Sequence, residues 1–141
     1  MFINREGNKA VDHLSKIQRS QLMSKIRGKH TAPELAIRRI VWHAGFRYRL
    51  HDRSLAGSPD LVFKSKKKII FVNGCFWHGH KCRSLPKTRK KFWTEKIERN
   101  QRRDKRSLRT LRSNGWDCLV VWECELKKSH IAEKVIKFLE R

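Results

Sequence analysis

Apolar positions along the chain alternate between a helical rhythm and a strand rhythm. Over Ser20 to Arg27, Leu22, Met23 and Ile26 fall at helical spacing and Gly28 follows, so a short helix is expected there. Thr31-Ala-Pro-Glu34 has capping-box spacing. It opens an amphipathic helix with Leu35, Ile37, Ile40, Val41 and Ala44 on its apolar face, and Gly45 closes it. Phe46-Arg-Tyr48-Arg-Leu50 alternates apolar and basic residues, the pattern of a half-buried strand. Asp60 to Phe63 reads as a second short strand and Lys64 to Lys67 as a basic turn. Lys68 to Val72 reads as a buried third strand that completes a hairpin. From Lys91 to Ser113, Trp93, Ile97, Asn100, Asp104, Leu108 and Leu111 recur at i+3 and i+4, giving a long helix that Asn114-Gly115 ends. Trp116 to Trp122 reads as a strand, and Ser129 is placed to cap a last helix carrying Ile131, Val135, Ile136 and Leu139. This order implies an α/β domain with a mixed central β-sheet flanked by helices. Residues 1–18 are mostly polar and are expected to form a flexible N-terminal arm ahead of a single domain over 19–141.

Charge narrows the partners. Thirty-five Lys and Arg face 13 Asp and Glu, a formal net charge of +22 on 141 residues. Such an excess repels itself in a compact fold unless a polyanion shares it, which points to nucleic acid. The sequence holds no signal-peptide pattern and no apolar run near transmembrane length, so a cytoplasmic, nucleoid-associated protein with no membrane partner is expected. The four cysteines, Cys75, Cys82, Cys118 and Cys124, are then poor candidates for disulfides.

Candidate chemistry crowds just past the third strand, in Asn73-Gly-Cys75-Phe-Trp-His78-Gly-His80-Lys-Cys82. Cys75, His80 and Cys82 offer three thiolate or imidazole ligands, and Cys124, past the last strand, offers a fourth. Together they suit a closed tetrahedral zinc site; the alternative is that Cys75 and Cys124 are buried apolar residues. Cys118 reads as core packing. Glu34, Asp60 and Asn73 lie at a helix start and at two strand ends, an arrangement suited to holding Mg²⁺ against a phosphate. Glu34 is equally the partner of a capping box, and Asp60 equally a turn residue. His78 could shuttle a proton. His13, His30, His43, His51 and His130 read as surface or helix residues. Phe76 and Trp77 could wedge into a base step or pack beneath the loop; Trp93 and Met23 could do the same or belong to the core.

These motifs, together with Arg19 to Arg27, Gly57-Ser-Pro-Asp60, Phe92-Trp93-x-x-Lys96-Ile97-x-x-Asn100-x-x-x-Asp104 and Gly115-Trp116…Trp122-Glu123-Cys124, resemble the very-short-patch repair (Vsr) DNA mismatch endonucleases over about residues 19 to 126. The resemblance implies a restriction-endonuclease-like fold. It implies Mg²⁺-dependent nicking of one strand of double-stranded DNA, 5′ of the T in a T:G mismatch left by deaminated 5-methylcytosine. It implies Asp60 and the Val72 main-chain carbonyl as Mg²⁺ ligands, Glu34 acting through bound water, and His78 in proton transfer. Phe76, Trp77 and Trp93 would intercalate beside the mismatch, with Met23 entering from the other side. Cys75, His80, Cys82 and Cys124 would hold structural Zn²⁺. Other mismatch-repair proteins are implied as partners, and a monomer suffices for nicking. The family pattern carries a second histidine where this chain has Asn73, which cannot take up a proton. On that reading His78 is the only nearby imidazole not assigned to zinc. Two alternatives remain: a restriction-type or damage nuclease without T:G preference, and a cleavage-deficient module that binds distorted DNA.

Overall fold

The computed structural model describes residues 14–24 and 28–141. They fall into two units, divided between Thr31 and Ala32. In the first, α1 spans Lys16–Ser24. It begins ahead of the expected Ser20 because Ser15 and Gln18 form a reciprocal capping box: the Gln18 N–H donates to Ser15 Oγ at 3.2 Å, and the Ser15 N–H to Gln18 Oε1 at 2.9 Å. Met23 is exposed on this helix. Most of the expected arm, and the expected helix end at residues 25–27, lie outside the described residues.

The second unit carries α2 (Ala32–His43), β1 (Arg49–Leu50), β2 (Leu61–Phe63), β3 (Lys68–Asn73), α3 (Lys90–Ser113), β4 (Asp117–Trp122) and α4 (Ile131–Glu140). The sheet order is β1-β2-β3-β4. The first two pairings are antiparallel and β3–β4 is parallel, with α3 as the crossover. The mixed sheet is as expected. Strand alternation divides the core: Leu61, Phe63, Ile70 and Val121 face α2 and α4, whereas Val62 and Ile69 meet Leu111 of α3. Cys118 is half-buried against this second cluster, in keeping with a packing role. Lys68 starts β3 fully inside the protein, where its ammonium donates to the carbonyl oxygens of Phe138 and, at 3.2 Å, Arg141. A cation at the carboxyl end of α4 satisfies otherwise unpaired carbonyls and complements the helix dipole.

Some local expectations fail for identifiable reasons. The alternating run from Phe46 shrinks to Arg49–Leu50, because β2 reaches only Phe63 before the turn at Lys64–Lys66. Phe46 and Tyr48 still pack on the core. On α2, Leu35 and Ala44 are exposed, whereas Glu34, just 3% exposed, joins Ile37 and Val41 in facing inward. Gly45 does close the helix: at φ +88° its N–H bonds to Trp42 O, and Phe46 N–H returns to Val41 O. The N-cap of α4 is His130 rather than Ser129, with no side-chain cap bond. No helix among the described residues is long and apolar enough to cross a membrane.

Candidate functional site

The hairpin and the parallel pair bring the chemistry to one end of the sheet. Asp60 precedes β2, and its Oδ2 accepts the Val72 N–H of β3 at 2.7 Å. Burial pushes the Asp60 carboxyl up to about 6 from its ordinary 3.8, against the pull of that hydrogen bond; neighbouring Glu34 adds to the rise. Glu34 projects from the first turn of α2 and pairs through Oε2 with Arg38 at 3.0 Å.

The third member of this cluster went unrecognised in the sequence. His51, which reads as a surface histidine, is half-buried between the two carboxylates. Its Nε2 lies 3.4 Å from Glu34 Oε2 and its Nδ1 3.8 Å from Asp60 Oδ1. His78 is therefore not the only imidazole near the carboxylates outside the thiol cluster. The cause is register: Leu50 pairs with Leu61, so the residues flanking that pair, His51 and Asp60, meet across the strand ends. Asn73 is buried at the end of β3, opposite Trp122 of β4.

Beyond Asn73 the chain winds into tight turns. The His78 N–H donates to Gly74 O, Gly79 N–H to Phe76 O and His80 N–H to Cys75 O. These turns draw Cys75, His80 and Cys82 together, and the turn after β4 delivers Cys124. Ligand atoms of all four lie within 4.8 Å of one another. The Cys124 N–H donates to Cys75 Sγ at 3.4 Å, and His80 Nδ1 lies 3.1 Å from Cys82 Sγ and 3.5 Å from Cys124 Sγ. His80 stacks on Trp122, with centroids 4.4 Å apart and planes at 23°. Three thiols and an imidazole at this spacing form a soft donor set that fits a tetrahedral zinc ion.

Helix α3 clamps the loop. Asn100 Nδ2 donates to Trp77 O at 3.0 Å, and Gln101 Nε2 to the carbonyls of His78 and Gly79. Gly79 permits this approach: a Cβ there would sit 2.3 Å from Gln101 Nε2 and 2.6 Å from Ile97 Cγ2, at φ +66°. Asp104 lies one turn further along α3, and its Oδ2 is 2.5 Å from His78 Nδ1. This pairing fixes the ring, with Nε2 directed away from the helix. Asp104 carries helical periodicity in the sequence, but only contact shows its role. One signal was present: Asn100, Gln101 and Asp104 sit three, four and seven residues after buried Ile97, which puts polar groups on the inward face.

Phe76, Trp77 and Trp93 come together, with ring centroids 5.1 to 6.0 Å apart in edge-to-face contacts. Phe92, exposed, joins Trp93 at 5.1 Å. The Lys96 ammonium lies 5.3 to 5.7 Å from the rings of Trp77, Trp93 and Phe92. This is an aromatic platform edged with positive charge, suited to stacking on bases. Met23 lies on α1, in the first unit.

A family model described as DNA mismatch endonuclease Vsr matches residues 11–84. The chain is 49% identical over 118 residues to the Type II nicking enzyme V.XorIIP of Xanthomonas oryzae pv. oryzae, covering 82% of this chain and 87% of that protein. It is 40% identical over 133 residues to the Type II nicking enzyme V.NmeAIP of Neisseria meningitidis, covering 93% and 95%. To the DNA mismatch endonuclease Vsr of Escherichia coli it is 41% identical over 119 residues, covering 83% and 76%.

Proposed function

The chain belongs to the DNA mismatch endonuclease Vsr family, and we propose that it is a Mg²⁺-dependent endonuclease of very-short-patch repair. It nicks one strand of duplex DNA 5′ of the T in a T:G mismatch. The observation that carries this reading is the half-buried Asp60 carboxylate, beside buried Glu34 and a short distance along the chain from the aromatic platform. A carboxylate held out of water with a second carboxylate nearby fits a hard divalent cation, whose charge would offset both. The mixed sheet flanked by helices supports a restriction-endonuclease-like fold.

In this reading Asp60 and the Val72 carbonyl hold Mg²⁺, which supplies positive charge at the scissile phosphate. The protein groups do the rest. Glu34 orients water. His78, steadied by Asp104, presents Nε2 for proton transfer to or from the reacting oxygens. Phe76, Trp77 and Trp93 enter the base stack beside the mismatch, Met23 is a further intercalating side chain, and Lys and Arg side chains neutralise backbone phosphates. Cys75, His80, Cys82 and Cys124 hold a structural Zn²⁺ that fixes the loop carrying His78 and the wedge. Asn73, which cannot exchange a proton, fills the end of β3. The enzyme acts as a monomer in the cytoplasm on nucleoid DNA, and other mismatch-repair proteins act on the nick.

The test is strand cleavage with Mg²⁺ on labelled duplexes carrying one T:G mismatch in several methyltransferase contexts, against T:A controls. Nicking confined to the T:G duplex, 5′ of T, is expected. Equal nicking of T:A would make the protein a nuclease without mismatch preference. Binding with no cleavage would make it a module that recognises distorted DNA.

A further inference from the structure

One imidazole has no role in the mechanism above, and the fold brings it to the reactive carboxylates. His51 follows β1 directly, and its backbone N–H is 3.4 Å from the Asp60 carbonyl oxygen. Its side chain is 10% exposed, which is deep for a histidine beside a two-residue edge strand. Glu34, His51 and Asp60 each offer a ligand atom, all within 4.8 Å of one another.

The two ring nitrogens face different carboxylates. Nδ1 faces Asp60 Oδ1 at 3.8 Å, too long for a hydrogen bond. Two neighbouring donors on one octahedral cation, each at about 2.0–2.2 Å, sit roughly 3 Å apart, so Nδ1 and Asp60 Oδ1 would close by under ~1 Å to share it. Nε2, on the other side of the ring, faces Glu34 Oε2 at 3.4 Å. A ligating histidine almost always gives its other N–H to a carboxylate, which fixes the tautomer and the ring's orientation. Arg38 Nη2 lies 3.0 Å from the same Glu34 oxygen and 3.1 Å from Nε2. A guanidinium only donates, so Nε2 accepts from Arg38 in this arrangement; with a cation at Nδ1 the ring proton moves to Nε2 and goes to Glu34, which also offsets the guanidinium charge near the cation.

We propose that His51, through Nδ1, is a ligand of the divalent cation held by Asp60, with Glu34 accepting the Nε2–H and orienting the ring. The inference rests on the cation site proposed above. Mg²⁺ takes oxygen ligands, whereas first-row transition metals accept imidazole, Mn²⁺ the most weakly of them, so His51 also tilts the site away from Mg²⁺.

The experiment uses zinc-loaded full-length protein with Mn²⁺ as the probe. Binding is followed by the loss of free-ion EPR signal, and nitrogen coordination by pulsed EPR. Wild-type protein is expected to bind one Mn²⁺ with ¹⁴N coupling. Asp60→Asn should abolish binding, which separates this site from adventitious uptake at the thiol cluster. His51→Gln should still bind Mn²⁺, roughly tenfold or more weakly, with the ¹⁴N coupling gone and the preference for Mn²⁺ over Mg²⁺ reduced. His78→Gln should keep the coupling. Asp60-dependent binding without ¹⁴N coupling in the wild type would overturn the assignment of His51 and leave the cation site standing. Binding indifferent to Asp60, or no binding, would overturn both. The wild-type spectrum decides the matter even if His51→Gln does not fold.

Discussion

Replacing Asp60 by Asn removes a charge that the fold holds out of water. A carboxyl whose pKa rises from 3.8 to about 6 on folding is protonated more readily in the native state than in the unfolded chain. Its contribution is therefore fully present below about pH 3.8, and is lost as pH rises through about 6. At pH 7.5, without Mg²⁺, ionised Asp60 costs the fold up to about 3 kcal/mol. Asn is nearly isosteric, stays neutral, and can still accept the Val72 N–H. The variant should match the wild type near pH 4 and exceed it by up to about 3 kcal/mol at pH 7.5, or about 5–10 °C in Tm for a chain of this size. Urea melts of the zinc-loaded proteins at pH 4.5, 6 and 7.5 in Mg²⁺-free buffer measure the difference directly. Added Mg²⁺ should stabilise the wild type by mass action and leave Asp60→Asn unmoved, and the variant should bind T:G duplex but not nick it. A stability difference that is absent at pH 7.5, or the same at every pH, would show that Asp60 is not a buried charge awaiting a cation.

Other expectations follow from single contacts. Gly79→Ala forces a methyl group against Ile97 and Gln101 at a left-handed backbone position; it should cost roughly 2–3 kcal/mol in a urea melt. A cost below 0.5 kcal/mol would mean that the loop does not need this close approach. Asp104→Asn leaves the helix intact but loosens the His78 tautomer, so the nicking rate constant should fall at least tenfold while duplex affinity holds; an equal loss of affinity would make Asp104 a DNA contact instead. Cys124→Ser should release zinc, measured by metal analysis, and lower Tm, because it removes the ligand that joins the loop to the end of β4. Retention of one zinc per chain would exclude Cys124 from the ligand set.

What was legible in the sequence was whatever lies contiguous in it. The apolar run of β3, the periodicity of α3 and the cluster from Cys75 to Cys82 each occupy one window, so pattern alone reaches them. Cys124 could be placed because it follows a strand readable as buried. His51 could not, because its surroundings come from the pairing of Leu50 with Leu61 across the loop that follows it. Glu34 was ambiguous for another reason. A capping-box residue and a buried carboxylate facing other charged groups occupy the same place in the first turn, and only the side chain's direction toward Arg38 and His51 separates them. The short β1 was overread because alternation reports which side of a chain is buried, not whether a neighbouring strand is long enough to pair with it.

The parallel pairing of β3 with β4 has a consequence for how the site is assembled in time. The hairpin of β2 and β3 closes through the four residues Lys64 to Lys67, so Asp60 meets the Val72 N–H at little loop-closure cost. Cys75 and Cys124 are 49 residues apart, and they meet only after the whole of α3 has formed and folded back. Non-local parallel pairing is slow because chain entropy is lost before contacts repay it. The carboxylate end of the site thus matures early and the thiol end late. During that interval three thiols stand open to stray metals and oxidants, so zinc supplied during refolding should raise the yield of active protein more than zinc added afterwards.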